Sequence, residues 1–333
     1  MARKTLRQTL RDDSGAALLV VLLLVATLSV ISVSILQTIT RSVQVSTVSS
    51  SRNQIGWFIR GAEALAAVKI GQLIELTDGE ITRFSPGLNQ QVIFPVEGGT
   101  LLARVEDHSN CFNLNSLAVA EEEDTELLVS PQDFYTDLLE ALGYPVNQAN
   151  QLMSTAADWV DTDSTQRAYG AESGYYASLS RPRGAANGPM VTPEELLDVR
   201  GYTPEIYSVI APYVCAFPNE EIGIFNVNTM DQNHAPLMYA VFSGQIASES
   251  MVGIMQAQGL TEHPDVASFL SNPNLAAIHE DFRHETILSV ASNHFRLVGE
   301  VVYQETVASY EAIFVTDTTG NVRFIRRRLG VDE

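Results

Sequence analysis

From Ala16 to Leu36 the chain reads AALLVVLLLVATLSVISVSIL, an uncharged run broken only by three serines and a threonine. At about 1.5 Å per helical residue it spans roughly 30 Å, the thickness of bilayer hydrocarbon, and it predicts one membrane-crossing helix. The pattern then changes period. Ile55, Phe58, Ile59, Ala62, Leu65, Ala66, Ile70, Leu73 and Ile74 recur at spacings of three and four, so the helix continues with one apolar face. The polar stretch Ser46 to Ser51 between the two halves permits a bend, and Pro86-Gly87 lies beyond the helix end. Alternating segments follow at Gln91 to Val96 and Thr100 to Glu106, joined by Gly98-Gly99 as a hairpin. From about Leu117 to Asn274 the pattern reads as helices interrupted by proline and glycine. Strands return at Phe295 to Tyr303, Val307 to Thr316 and Val322 to Leu329, the last turn being Asp317-Thr-Thr-Gly320. The plan is α+β: a long N-terminal helix on an antiparallel sheet, with a large helical insertion.

Charge sharpens this picture. The 333 residues hold 20 Lys and Arg against 40 Asp and Glu. Residues 1–60 carry Arg3, Lys4, Arg7, Arg11, Arg41, Arg52 and Arg60 but only Asp12 and Asp13, which leaves −25 on the rest. The basic residues ahead of the apolar run favour a cytoplasmic N-terminus with the body outside. So acidic a body is repelled by phosphate backbones, which argues against nucleic acid as a partner and leaves divalent cations as one. The two cysteines, Cys111 and Cys215, both follow the apolar run. Outside the cytoplasm an even pair reads first as a disulfide, the alternative being two unrelated buried thiols.

Oxygen-bearing groups fall at Asp161, Asp163 and Thr165, with the Arg167 carbonyl seventh and Glu172 twelfth. That is the spacing by which a calcium loop wraps a hard cation. Gln166 occupies the sixth position, where an EF-hand needs glycine, so the reading is a differently folded structural calcium loop, with Asp158 and Asn187 as weaker donors. The alternative is a charged helix end with Glu172 capping the next turn. No catalytic constellation accompanies it. His108, His234, His263, His279, His284 and His294 lack zinc-site spacing, and Ser173 and Ser178 lie in no nucleophile elbow. Leu196 to Ile206 reads as helix, glycine turn, helix, resembling SAM-like or helix-hairpin-helix modules. Glu194, Glu195, Asp198 and Glu205 surround its lone Arg200, which favours packing or protein contact over DNA.

Arg11-Asp-Asp-Ser-Gly15 followed by Ala16-Ala-Leu-Leu resembles the class III leader of type IV prepilins, cut after the glycine by a dedicated peptidase. The resemblance implies a mature, N-methylated Ala16; a plain signal anchor is the alternative. Cys111-Phe-Asn-Leu-Asn115, Asp158-Trp-Val-Asp161-Thr-Asp163, Tyr169 to Tyr176, Asn187-Gly-Pro189, Glu195 to Gly201, Ile206 to Val214 and Phe225-Asn-Val-Asn228-Thr229 follow in order. This ordered set resembles the K subunits of the type II, or general, secretion pathway, a family of minor pseudopilins. The resemblance implies a division into leader (1–15), membrane helix (16–36), pilin-like helix and first strands (37–115), helical insertion (116–280) and closing strands (281–333). It also implies calcium as a structural cofactor, and as partners minor pseudopilins I and J, the prepilin peptidase and the inner-membrane assembly platform. Most pilins and pseudopilins carry glutamate at the fifth mature position; here it is Val20, a departure that points to the tip of the pseudopilus, with nothing ahead to neutralise. The expected role is to initiate that periplasmic filament and aid export of folded proteins. The alternative is a pilin-like, membrane-anchored adhesin or DNA-uptake protein that binds its ligand through the insertion. Arg326-Arg-Arg328, the only downstream basic cluster, must alternate faces on a strand and reads by default as a solvated edge, the alternative being contact with an acidic neighbour in the filament tip.

Overall fold

The apolar run and the amphipathic stripe form one uninterrupted helix, α1 (Thr5–Leu76). The computed structural model describes residues 5–119, 129–258, 261–317 and 320–330, so residues 1–4 of the expected leader lie outside the described residues. Ser46 to Ser51, whose polar sequence permits a bend, remain helical. Three hydroxyls within the apolar run bond back to carbonyls about one turn earlier, Thr27 to Leu24 (2.9 Å), Ser29 to Val25 (2.7 Å) and Ser32 to Leu28 (2.8 Å), which pairs their donors within the helix. From Leu18 to Val48 the large apolar side chains are exposed. Beyond Ile55 the helix has an inside: Ile55, Ile59, Ala62, Ala66, Ile70 and Leu73 are buried, while Leu65 stays exposed at the margin. Each Ile or Leu so buried contributes roughly 1.5–3 kcal/mol.

The chain continues through β1 (Val92–Val96) and β2 (Gly99–Asp107). An inserted region follows, with two-residue strands β3 (Phe112–Asn113), β4 (Val214–Cys215), β5 (Phe225–Asn226) and β6 (Leu288–Ser289). Its helices include α2 (Pro131–Ala141), α3 (Val146–Val160), α4 (Ser173–Ala177), α5 (Pro204–Ile210), α6 (Ala235–Val241) and α7 (Ser248–Gln258). The chain closes with β7 (His294–Tyr303), β8 (Thr306–Thr316) and β9 (Val322–Leu329). The main sheet runs β1-β2-β7-β8-β9, antiparallel throughout. Leu101, Ala103, Phe295, Leu297, Tyr310, Ala312 and Phe314, two apart on their strands, turn one face to α1. β2 ends opposite the start of β7, Asp107 facing Phe295, so the ladder brackets residues 108–293 where 116–280 was the expected insertion.

Two similar blocks organise the insertion. Phe112-Asn-Leu-Asn115 and Phe225-Asn-Val-Asn228 each begin at a short parallel bridge, and Phe134 of α2 stacks between their phenylalanines at 5.4 and 5.6 Å. All four asparagines are buried. Asn115 donates to the carbonyls of Met190 (3.0 Å) and Phe217 (2.7 Å) and accepts from Met190 N–H (2.7 Å). Asn226 donates to the Ile81 carbonyl (2.8 Å) and Ser292 Oγ (2.7 Å). Such amides stand in for the ladder partners that irregular buried backbone lacks.

Cys111 and Cys215 are joined in a disulfide, Cα atoms 5.7 Å apart, as expected. It packs with Phe217 on Ile313, on the sheet face opposite α1. His108 and His294 lie against Phe217 there, and burial holds His294 down to about 4, so both rings are neutral packing groups near pH 7. Arg326, Arg327 and Arg328, read from sequence as a solvated edge by default, have alternating partners instead. Arg327 pairs with Glu63 of α1; Arg326 donates to the Val191 and Ala216 carbonyls and Arg328 pairs with Glu194 (2.7 Å), all in the insertion.

Candidate metal centre

α3 delivers two acids at its C-terminal end, Asp158 inside the last turn and Asp161 as the C-cap. The loop beyond it brings Asp163, and Glu172 arrives as the N-cap of α4. One oxygen from each of Asp161, Asp163 and Glu172 lies within 4.8 Å of the others. Asp158, Asp161 and Glu172 are buried, whereas Asp163 is exposed. The turn is held locally. Asp163 Oδ1 accepts from Thr165 N–H (2.6 Å), and Gly170 leaves room for Asp158, since a Cβ there would sit 2.0 Å from Asp158 Oδ2.

The distribution of hydrogen bonds is the informative feature. Asp161 Oδ2 accepts from Arg167, Glu172 Oε2 accepts from Ser173 N–H (3.2 Å) and Asn187 Nδ2 donates to the Asp163 carbonyl. Asp161 Oδ1, Glu172 Oε1 and Asn187 Oδ1 are each buried with no partner. Three orphaned acceptors in one place cost about 1–3 kcal/mol apiece. Four carboxylates here face one guanidinium, that of Arg167, which meets Asp158 at 3.0 Å and also Asp161. Burial, the largest influence, pushes the Glu172 carboxyl up, and the charges of Asp158, Asp161 and Asp163 push the same way against the Ser173 N–H. Burial likewise raises Asp158 despite its bonds to Arg167. The Thr165 N–H pulls exposed Asp163 down.

An all-oxygen donor set with a net negative charge fits a hard divalent cation, and oxygens up to 4.8 Å apart suit two ligands across an ion with bonds of about 2.4 Å. Of the sequence-based candidates, Asp161, Asp163 and Glu172 come together. Thr165 serves the turn through its N–H, with its side chain exposed. The Arg167 carbonyl, expected to face the ion, accepts from Gly170 N–H (3.0 Å), and the guanidinium supplies counter-charge. Asn187 stands beside the cluster although 24 residues separate it from Asp163. Its signal in sequence was only the Asn-Gly-Pro block. The left-handed residue of the loop is Tyr169, not position six, so the turn is not that of an EF-hand. At the other end of the chain Gly15, Ala16 and Val20 lie in α1 and are exposed.

Comparison with known proteins places these features. Residues 110–219 match the family model described as type II secretion system (T2SS), protein K. The type II secretion system protein K of Aeromonas hydrophila is 30% identical over 331 residues, covering 96% of this chain and 98% of the relative. This chain belongs to the type II secretion system protein K family. The protein K of Klebsiella pneumoniae is 32% identical over 262 residues, covering 78% and 80%. The protein K fold extends to a chain of the crystal structure of the GspK-GspI-GspJ complex from the enterotoxigenic Escherichia coli type 2 secretion system. The TM-score is 0.75 at 24% identity, over 86% of this chain and 99% of that one. The matched residues 110–219 include the whole acidic loop and both cysteines.

Proposed function

We propose that the chain is a minor pseudopilin of a type II secretion system that occupies the tip of the periplasmic pseudopilus, starts its assembly and so aids export of folded proteins across the outer membrane. The observation that carries this reading is α1. From Leu18 to Leu36 it is an exposed apolar rod with Val20 where a filament subunit with a neighbour ahead would hold a carboxylate. A carboxylate without a cation to meet would cost several kcal/mol in lipid, so Val20 suits the subunit that has no neighbour ahead. The body stands in the periplasm, the rod in the inner membrane with the N-terminus cytoplasmic, and prepilin peptidase cuts between Gly15 and Ala16, which is then methylated. Subunits I and J are the partners, a reading supported by the GspK-GspI-GspJ complex to which the structural relative belongs, and the inner-membrane platform extends the filament. The relatives are named as secretion-system proteins, which fits a non-enzymatic role.

The same reading assigns calcium to Asp161, Asp163 and Glu172, with Arg167 offsetting part of the charge. The ion supplies positive charge and coordination that the protein leaves unmet. The experiment is complementation of a strain lacking this subunit with Val20→Glu and wild-type chains. The variant is expected to lower secretion and displace the subunit from the I–J assembly in crosslinking. Unchanged secretion and subunit order would remove the tip assignment.

A further inference from the structure

The cation cluster and the arginines of β9 are joined by one short stretch of chain. Ala185 N–H donates to Ser173 Oγ (3.2 Å), beside Glu172, and Asn187 holds the Asp163 carbonyl while its own Oδ1 has no partner. Asn187 has φ 45°, a left-handed backbone that asparagine tolerates and that its side-chain bond to the loop supports. Three residues later Met190 is clasped through both backbone groups by Asn115. Val191 then gives its carbonyl to Arg326, and its N–H goes to Glu195 Oε1 (2.6 Å). Glu194 takes Arg328. Four residues from Asn187 to Val191 span at most about 14 Å, too short a strap to absorb much slack.

The joint served by this strap is polar. A cavity of about 550 Å³ lies between sheet and insertion, lined among others by Glu106, Glu194, Arg296, Glu311, Arg326 and Arg328. One side of the joint is fixed by the paired strands β2 and β7, from which the insertion leaves and to which it returns, and by the disulfide packed on Ile313. On the β9 side, charge-assisted bonds from Arg326 and Arg328 make the connection, and such bonds have value only while their acceptors are held in place.

We propose that Asn187 gives its free carbonyl oxygen to the bound cation and that the cation, through the 187–194 strap, fastens the insertion to strand β9. This rests on the calcium reading above and adds a regulation to it: cation occupancy in the insertion sets how firmly the two halves of the body are docked. Ordering Asn187 orders Val191 and Glu194; conversely, the grip of Arg326 on Val191 holds Asn187 ready for the ion. Coupling of this kind is reciprocal by thermodynamic necessity.

The test uses the full chain in detergent micelles, with calcium binding followed by calorimetry and amide exchange followed by mass spectrometry. Calcium is expected to slow exchange at least tenfold at Met190 to Glu195 and along Val322–Leu329. Asn187→Gly, which tolerates the left-handed backbone, is expected to bind calcium more weakly and to lose the slowing at β9 while keeping it around Asp161. Arg326→Met, which touches no ligand, is expected to weaken calcium binding about fivefold or more. Calcium binding with β9 exchange unchanged and Arg326→Met affinity unaltered would overturn the coupling and leave the calcium site standing. Absence of any calcium heat in the wild-type chain would overturn the calcium reading and the coupling together.

Discussion

Glu172→Gln separates a cation-binding cluster from a merely acidic helix end, because its sign changes with calcium. Without the ion, the ionised Glu172 side chain is buried beside three other carboxylates and has one oxygen unpartnered. Its folded pKa is raised above the usual 4.5. A raised carboxyl contributes stability that is full below 4.5 and is lost as pH climbs through the folded value, so at pH 7 the ionised group is a burden. In chelator, Glu172→Gln should therefore raise Tm slightly, and the wild type should gain stability on mild acidification through that window. With calcium at a hundred times Kd, the wild type should gain about 2.7 kcal/mol. For a body of this size that is a rise of roughly 4–5 °C in Tm. The variant should lose most of that rise, and acidification should now destabilise the wild type, because protonation competes with the ion. Melting of the full chain in detergent, followed by circular dichroism with calcium or chelator at pH 7 and pH 5, reads all of these. Identical wild-type melting with and without calcium, or a full calcium shift in Glu172→Gln, would refute the reasoning.

Three further outcomes follow from the packing. Asn115→Ala strands two carbonyls and one N–H of Met190 and Phe217 and should cost about 2–4 kcal/mol in urea unfolding; a loss under 1 kcal/mol would contradict its role as a buried partner. Reduction of Cys111–Cys215 opens a loop with a sequence separation of 104 and should cost up to about 4–5 kcal/mol, seen as a lower urea midpoint in reductant. Arg327→Ala leaves Glu63 buried and unpaired against the sheet and should destabilise by about 3–5 kcal/mol, whereas Arg327→Ala with Glu63→Leu should recover most of the loss in a double-mutant cycle.

The frame was legible because its signals are local. Period-two alternation and glycine turns located all five long strands to within a residue or two, and the three-and-four stripe from Ile55 named the face of α1 that the sheet covers. What the sequence hid depends on distant partners. Arg326 to Arg328 looked like a solvated edge because Val191, Glu194 and Glu63 lie more than a hundred residues away. Arg167 was placed by its count within a calcium loop, but its side chain reaches back to Asp158, a choice made by three-dimensional charge and not by spacing. The buried amides of Asn113, Asn115, Asn226 and Asn228 stood out as blocks, but nothing local says which backbone each will satisfy.

The adjacency of β2 and β7 also dictates a timetable. β2 finds its neighbour only after residues 108–293 have been made, a delay of roughly 10–40 s at ordinary rates of synthesis. Meanwhile the β1-β2 hairpin shows Leu101 and Ala103 with no sheet beside them, and the stripe of α1 has little to cover it. The insertion, closed by its own disulfide, is synthesised before any residue of β7–β9. The sheet can thus be completed only at the end of synthesis, although the helix it covers is the first part of the chain to emerge.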